Sequence, residues 1–599
     1  MRNYGYSEGG IQPSIGDLSI WLRIARFSAA QWRSICLAIL LSVLITGGTL
    51  LLPHLVQRGI DSYITNTNQP MSARLAGLGT ITSAYGAIIF LVFFASFGQA
   101  LILGWAVQSI MHSVRQSLFR QLLELDLRFF NTNPTGKLVT RLTNDVQNMN
   151  EMFTSVIVTV FNDLFRLTGI LVLLFWMNVR LAGLLVCFVP IAVGITILFA
   201  RLARVRFRAI RTQLAKINSF LAENLAGISI VQLFGQERST RETFEFLTDG
   251  YLKRTLSQIK LFGTFMPLTE FMSSAAIAVI LWYGGGEILR QRLSLGELVA
   301  FISYMRLFFQ PLRELAQKYS IVQSAMASAE RIFQLLDEKS SIRIAQNAFT
   351  PSRPQGKITF KEVSFSYDPA NPVLNSVSFI LEAGTTVALV GSTGSGKSTI
   401  VNLLLRFYDP IKGEILIDNR PLNGFKLFEL RQRIGTILQD VFILQDTLLA
   451  NILLDTGRNR EDVEEILMQT GMNRFVDRLP QGLDTLIGEG GQELSTGEKQ
   501  ILSFARILCR DPAILILDEA TAAIDTESEN ILEEAIDKCF HGRTSLVIAH
   551  RLSTIRRADQ IIVLDQGKII EQGSHEELLA RDGRYALLVA MDMEKLQAG

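Results

Sequence analysis

The chain has 599 residues, 48% of them hydrophobic and only 19% charged, with a formal net charge of +2. That length exceeds one ordinary domain, and the balance excludes an intrinsically disordered chain, which needs low hydrophobicity and high net charge. A mean hydropathy of +0.28 argues against a wholly soluble enzyme, and a near-neutral whole offers no field to gather nucleic acid, so no nucleic-acid partner is expected. The four cysteines, Cys36, Cys187, Cys509 and Cys539, match neither a metal spacing nor a disulfide framework, which fits a reducing, cytosol-facing protein.

Met1–Ser14 is polar and Gly-rich and lacks the apolar centre of a cleaved signal, so no leader is expected. Ser19–Trp32 sets Trp21, Leu22, Ile24, Phe27 and Trp32 beside Arg23 and Arg26. This amphipathic segment suits a helix lying at the inner membrane face, a lead-in to the first span, or both. Ile35–Leu52, Leu75–Val114, Leu181–Ala200 and Phe271–Gly286 carry no charge. At about 20 apolar residues per crossing, six spans are expected, near 34–56, 78–106, 154–177, 181–200, 258–286 and 296–316. Pro53, Pro190 and Pro267 are expected to kink or end their helices, and a very short turn near Asn178 joins the third and fourth spans.

Two long connectors, 107–153 and 201–257, are helical in composition, so the membrane helices are expected to continue beyond the bilayer. The second opens with Arg201, Arg204, Arg206, Arg208 and Arg211, which places that end, and with six spans both termini, in the cytoplasm. Ala325–Leu336 reads as a last helix and Asp337–Gly356 as a polar linker. Beyond it the chain adopts the alternating strand and helix grammar of a soluble α/β domain.

In that second half, Val387–Val390 is a short apolar strand running into Gly391-Ser392-Thr393-Gly394-Ser395-Gly396-Lys397-Ser398-Thr399 and an apolar helix, Ile400–Phe407. The spacing G-x-x-x-x-G-K-[ST] between a strand and a helix is that of a P-loop. Its glycines let backbone N–H groups face phosphates at a helix N-terminus. Lys397 supplies charge to the β- and γ-phosphates and Ser398 a hydroxyl for Mg²⁺. A second strand, Ala513–Leu517, delivers Asp518 and Glu519 to the same sheet edge. Asp518 suits the Mg²⁺ shell through water, and Glu519 suits polarising the attacking water. His550 ends a further strand, Ser545–Ala549. A lone histidine is more often structural, but this strand end points it to a γ-phosphate sensing role.

Leu494-Ser495-Thr496-Gly497-Glu498-Lys499-Gln500 resembles the signature of ATP-binding cassette (ABC) proteins. Six spans followed by one cassette resemble a half-size ABC exporter of the multidrug and lipid-flippase type, with the type IV exporter fold. The resemblance spans nearly the whole chain. It implies an N-terminal all-α transmembrane domain (33–320) after a cytoplasmic N-terminus and elbow helix (1–32), a linker (321–356) and a C-terminal α/β P-loop nucleotide-binding domain (357–599). It implies ATP and Mg²⁺ as cofactors, with Tyr367 stacking on adenine, Gln439 reaching Mg²⁺ and Asp525 as the D-loop aspartate. Thr485–Gly491 resembles the exporter-specific segment before the signature. In the family two cassettes meet head to tail, so Ser495, Thr496, Gly497, Glu498 and Asp525 would serve nucleotide held by a partner chain. Phe129–Gly136 with Thr140–Asp145, and Glu223–Glu237, resemble the two intracellular loops whose coupling helices dock on cassettes.

The signature departs from the family's Leu-Ser-Gly-Gly-Gln at Thr496 and Glu498, where a β-branched side chain and an acid stand near the polyanion. Lys397, Gln439, Glu519 and His550 are intact. That combination resembles one member of a heterodimeric exporter in the cytoplasmic (inner) membrane, moving small hydrophobic substrates by alternating access. A homodimeric lipid flippase and a nucleotide-gated channel or receptor are the alternatives; the intact Glu519 argues against the last. Asp163 and Arg166, three residues apart, could pair on one helix face. With Glu270 and Arg306 they are candidate path residues. Phe301, Met305, Phe308 and Phe309 could line an adaptable cavity or simply pack.

Overall fold

The structure, a computed structural model, describes residues 18–342, 355–438, 441–454, 456–488, 490–518, 526–549 and 555–590. The chain divides into two compact units, residues 1–124 with 134–338, and residues 125–133 with 339–599.

The helices of the first half follow in chain order as α1 (Leu18–Ser28), α2 (Trp32–Gly59), α3 (Met71–Glu124), α4 (Leu127–Thr132), α5 (Thr135–Thr140), α6 (Val146–Met152), α7 (Val158–Met177), α8 (Val179–Ala226), α9 (Ile228–Leu233), α10 (Glu237–Leu289) and α11 (Leu295–Asp337). All but α4 belong to the first unit. The 54 residues of α3 reach about 80 Å at 1.5 Å per residue, far beyond a hydrocarbon core of about 30 Å. Pro53, Pro190 and Pro267 all lie inside helices rather than ending them. Asn178 makes the expected tight turn, its side chain accepting from the amides of Arg180 and Leu181 at 3.1 Å.

Among the described residues, five helical stretches are long and apolar enough to cross a membrane: Leu18–Ile64, Met71–Glu124, Thr135–Met177, Val179–Ala226 and Glu237–Leu289. The sixth expected span lies in α11, which bears Glu297 and Arg306 and so is less apolar than the others. Several of its described apolar residues pack inside the protein. Phe301, Met305, Phe308 and Phe309 are buried in one cluster with Ile170 and Leu174 of α7, Leu185 of α8 and Ile280 of α10. Of the two readings of those four side chains, packing is the one observed: the face shared by Phe301, Met305 and Phe308 lies against neighbouring helices.

Polar contacts fix the registers of these helices, as they do where apolar surfaces alone cannot choose one. Gln99 of α3 donates to the Ser42 hydroxyl of α2 at 2.5 Å. The Thr46 hydroxyl of α2 donates to Asn162 of α7 at 2.6 Å. The Tyr304 hydroxyl of α11 donates to the Leu50 carbonyl at 2.6 Å. At the N-terminus of α11, Asp61 accepts from the Ser294 hydroxyl at 2.6 Å and the Gly296 amide at 2.9 Å. The expected pairing of Asp163 with Arg166 gives way to contacts between helices. Asp163 pairs with Lys318 of α11 at 2.5 Å, and Arg166 donates to Gln310 at 3.2 Å. Helical spacing made the Asp163–Arg166 pair possible, but α11 brings a buried ammonium to the same carboxylate.

The second unit holds the α/β domain. Strands β1 (Ile358–Phe365), β2 (Leu374–Leu381), β3 (Thr386–Gly391), β4 (Lys412–Ile417), β5 (Arg420–Pro421), β6 (Ile434–Ile437), β7 (Asp446–Thr447), β8 (Leu486–Ile487), β9 (Ile514–Asp518), β10 (Thr544–Ile548), β11 (Gln560–Asp565) and β12 (Lys568–Gly573) form three sheets. One is antiparallel in the order β2-β1-β4-β5, one runs β12-β11-β3-β10-β9-β6, and β7 pairs with β8. In the largest sheet β11, β3, β10, β9 and β6 are parallel. β10 is buried at every position, as a strand covered on both faces must be. Helices α12 (Lys397–Leu404), α13 (Leu427–Arg433), α14 (Leu448–Leu453), α15 (Arg460–Gln469), α16 (Asn473–Val476), α17 (Thr496–Arg510), α18 (Thr526–Phe540) and α19 (His575–Ala580) complete it.

Candidate active site

Parallel strands deliver their C-terminal ends to one edge, and the loop there between β3 and α12 is the predicted P-loop. Its close packing explains its glycines. A Cβ on Gly391 would lie 2.2 Å from the Leu564 carbonyl oxygen. Gly394 has φ +85° with nothing within 4 Å of where a Cβ would stand, so its backbone borders open space of the kind a phosphate needs. The Ser395 hydroxyl oxygen is buried and has no hydrogen-bond partner among the described residues. The Lys397 ammonium is buried and donates to the carbonyls of Gly391 at 2.7 Å and Ser392 at 3.0 Å.

Burial pushes the Lys397 ammonium below the ordinary lysine value, and the charge of Asp518 acts in the opposite direction. The sheet therefore brings Asp518 and Lys397 within electrostatic reach although 121 positions separate them. Asp518 ends β9 in register with Ile548 of β10, and β10 in turn pairs with β3. The hydroxyl of Ser398, exposed at the first turn of α12, and the Asp518 carboxylate are hard oxygen donors of the kind Mg²⁺ takes alongside phosphate oxygens.

Tyr367 stands 41% exposed at the edge of this unit. Its hydroxyl donates to the Thr399 hydroxyl at 3.3 Å and accepts from Asn402 at 3.1 Å, both on α12. Phe365 and Tyr408 set their rings against it edge to face, with centroids 4.9 Å and 5.1 Å away. The ring is thus braced from behind and open in front.

The signature lies elsewhere on the unit, at the start of α17. Ser495 caps the helix, its hydroxyl accepting from the Glu498 amide at 3.3 Å, while its own amide donates to the Glu498 carboxylate at 2.8 Å. This reciprocal capping box engages Glu498, one of the two departures from the family pattern, in a local contact. Ser495 and Thr496 are exposed and Gly497 is buried. Gln439, Glu519, Asp525 and His550 lie outside the described residues.

Residues 35–312 match the family described as the ABC transporter transmembrane region, and residues 374–522 match the family described as ABC transporter. The chain is a half-size ABC exporter. It is similar to a probable multidrug resistance ABC transporter ATP-binding/permease protein of Bacillus subtilis, at 38% identity over 88% of this chain and 78% of that protein. It is similar to an ATP-dependent lipid A-core flippase of Syntrophus aciditrophicus, at 33% identity over 96% of this chain and 95% of the relative. Its fold resembles the solved structure of a bacterial Atm1-family ABC exporter with ATP bound, at a TM-score of 0.80 and 29% identity, covering 94% of this chain and 98% of that one. The exporter is a multi-pass membrane protein and an ATPase coupled to transport, and it binds ATP.

Sequence reasoning missed one feature of this exporter. It is the aromatic support behind Tyr367: Tyr408 stands in the run Arg406-Phe407-Tyr408-Asp409-Pro410 just after the P-loop helix, and that pair of aromatics before an Asp and a Pro was the available signal. The segment Glu223–Glu237, expected to carry a docking helix, holds α9, and Ile230 and Leu233 on it and Phe234 just after it are exposed, Leu233 to 80%.

Proposed function

We propose that this exporter uses ATP hydrolysis to move hydrophobic or amphipathic compounds out across the cytoplasmic membrane, as one half of a dimer with the cassette in the cytoplasm. The observation that carries the reading is the union at one sheet edge of the P-loop cradle, the buried Lys397 and Asp518, with the braced ring of Tyr367 beside α12. Tyr367 stacks on adenine, the amides of 391–399 and Lys397 hold the phosphates, and Ser398, Gln439 and, through water, Asp518 hold Mg²⁺. When bound, Mg²⁺ neutralises charge on the phosphate oxygens. Glu519 polarises the attacking water and His550 faces the γ-phosphate. The driving event is a population shift, because ATP binds the closed cassette pair better than the open one.

Exporters of this fold work as dimers in a lipid bilayer. The exposed apolar side chains of α9 support docking on a second chain, since such a patch in water marks an interaction surface. Ser495, Thr496, Gly497, Glu498 and Asp525 then face nucleotide held by that second chain. Thr496 and Glu498 favour a different half-transporter as partner, with this chain supplying the glutamate of the working site. A homodimeric lipid flippase is the second reading, favoured by the near full-length likeness to the lipid A-core flippase.

The test is to purify the chain alone and measure its mass and Mg-ATPase rate with and without Glu519→Gln. A monomer or unstable dimer of low activity supports a missing partner. A stable homodimer whose activity Glu519→Gln abolishes removes the heterodimer reading and keeps the exporter. Activity untouched by Glu519→Gln removes the catalytic assignment.

A further inference from the structure

Residues 125–133 sit in the same compact unit as the cassette, and they are held there at three points. Asp126 caps α4, accepting from the Phe129 amide at 3.1 Å, and also accepts from the Ser341 amide at 2.6 Å. Leu127 packs against the cluster of buried residues that contains Tyr408 and Ile400. At the far end of α4, the Asn131 side-chain amide donates to the Tyr408 hydroxyl at 2.8 Å.

Tyr408 is therefore a two-sided residue. Its hydroxyl meets α4, and its ring meets Tyr367 edge to face at 5.1 Å and Phe365 at 5.5 Å. The loop that carries it is pinned. Arg431 donates to the carbonyls of Leu405 at 3.2 Å and Arg406 at 3.1 Å. The guanidinium of Arg406, itself fully buried, holds Asp409 at 2.9 Å. A side chain on so fixed a base transmits displacement instead of absorbing it, because packed interiors are not continuously deformable. In the chain, α4 is the short link between α3 and α5.

We propose that Tyr408 is a positioning residue that ties the base-stacking ring of Tyr367 to α4, so that the exporter senses the adenine ring, and not only the phosphates, through Asn131. The proposal rests on the reading of Tyr367 as the adenine platform. Base stacking against Tyr367 restricts its ring. The restricted ring restricts Tyr408, and the hydrogen bond from Asn131 passes that restraint to the end of α4. By linkage, whatever orders α4 must tighten the hold on an adenine nucleotide by the same factor.

The experiment compares two phosphate ligands on the full-length chain in lipid nanodiscs with Mg²⁺. One is a non-hydrolysable ATP analogue, which fills both the cradle and the ring site. The other is inorganic tripolyphosphate, which fills only the cradle. Hydrogen exchange of the peptide covering 127–132 is followed for wild type, Tyr408→Phe and Asn131→Ala. Tyr408→Phe keeps the ring contacts and removes the hydroxyl. Asn131→Ala removes the donor from a residue that touches no nucleotide group, so its affinity for the analogue falls by no more than the coupling factor itself, and its affinity for tripolyphosphate stays at the wild-type value.

The expected result is that the analogue slows exchange of this peptide about fivefold more than tripolyphosphate does in wild type, the worth of about one hydrogen bond. That difference collapses in both variants. A merely structural role for Tyr408 would raise exchange equally with either ligand and would leave the difference intact, and an intact difference in both variants overturns the proposal. Tyr367→Ala separates the two levels. If it leaves affinity for the analogue unchanged, the adenine platform itself is misassigned and both readings fall. If it weakens affinity while Tyr408→Phe and Asn131→Ala preserve the difference, only the link through Tyr408 fails.

Discussion

The ion pair between Asp163 of α7 and Lys318 of α11 makes a sharp quantitative prediction. The two atoms stand 2.5 Å apart, and the side chains are only 13% and 10% exposed. Lys318→Met leaves a carboxylate buried without its partner, which costs about 3–5 kcal/mol in a protein interior. The small remaining exposure puts the figure near the lower end, about 3 kcal/mol. At roughly 2 °C per kcal/mol for a large domain, that lowers the melting temperature by about 6 °C. The double variant Asp163→Asn with Lys318→Met removes both charges and is expected to recover most of the loss, because the desolvation cost disappears with the attraction. The assay is heating in detergent followed by size-exclusion chromatography of the surviving folded fraction. A single variant no less stable than the double variant would refute the reasoning, since the carboxylate would then not depend on its partner.

Three further predictions follow from local geometry. A Cβ at Gly296 would stand 2.5 Å from the Gln57 carbonyl oxygen and 2.6 Å from the Asp61 carboxylate. Gly296→Ala is therefore expected to cost about 1–3 kcal/mol by overpacking, while Gly79→Ala, with nothing within 4 Å, costs under about 0.5 kcal/mol; thermal melts of the two compare them directly. Burial alone would raise the Asp126 carboxyl pKa, but hydrogen bonds from the Ser341 hydroxyl and amide and the Phe129 amide outweigh it and hold the group below the ordinary carboxylate value. Its contribution to stability is then complete above the unfolded value, near pH 4, and lost as pH falls through the depressed folded value. Asp126→Asn should destabilise at pH 7 and converge on wild type in acid. Burial pushes the thiols of Cys509 and Cys539 up to about 11 and about 12, so iodoacetamide at pH 7.5 should leave both unmodified in the native chain and label them after denaturation, as mass spectrometry would read.

What the sequence made legible was what chemistry or solvent fixes locally. Phosphate geometry dictates the spacing from Gly391 to Lys397, so the P-loop and its flanking strand and helix stand out without a structure. Lipid dictates uncharged runs such as Ile35–Leu52, so most of the membrane helices do too. Contacts between distant positions left no local trace. Lys318 lies 155 positions from Asp163, and Asn131 lies 277 from Tyr408, so the pairing with Arg166, three positions from Asp163, looked as good as any. Periodicity showed that Phe301, Met305 and Phe308 share a face, but a face turned to a cavity and one turned to a helix have the same period. The burial of that face also explains why α11, with Glu297 and Arg306, reads as the weakest of the expected spans.

The central claim is that ATP used at this chain's own P-loop drives export, and vesicle transport tests it most directly. In inside-out membrane vesicles from cells expressing the exporter, with a partner half if one is required, uptake of a fluorescent amphiphilic dye is followed with ATP and with a non-hydrolysable analogue. The account predicts uptake with ATP only, reduced about a hundredfold by Lys397→Ala, since that substitution removes the charge that holds the β- and γ-phosphates. Equal uptake by wild type and Lys397→Ala, or sustained uptake on the analogue, would contradict it.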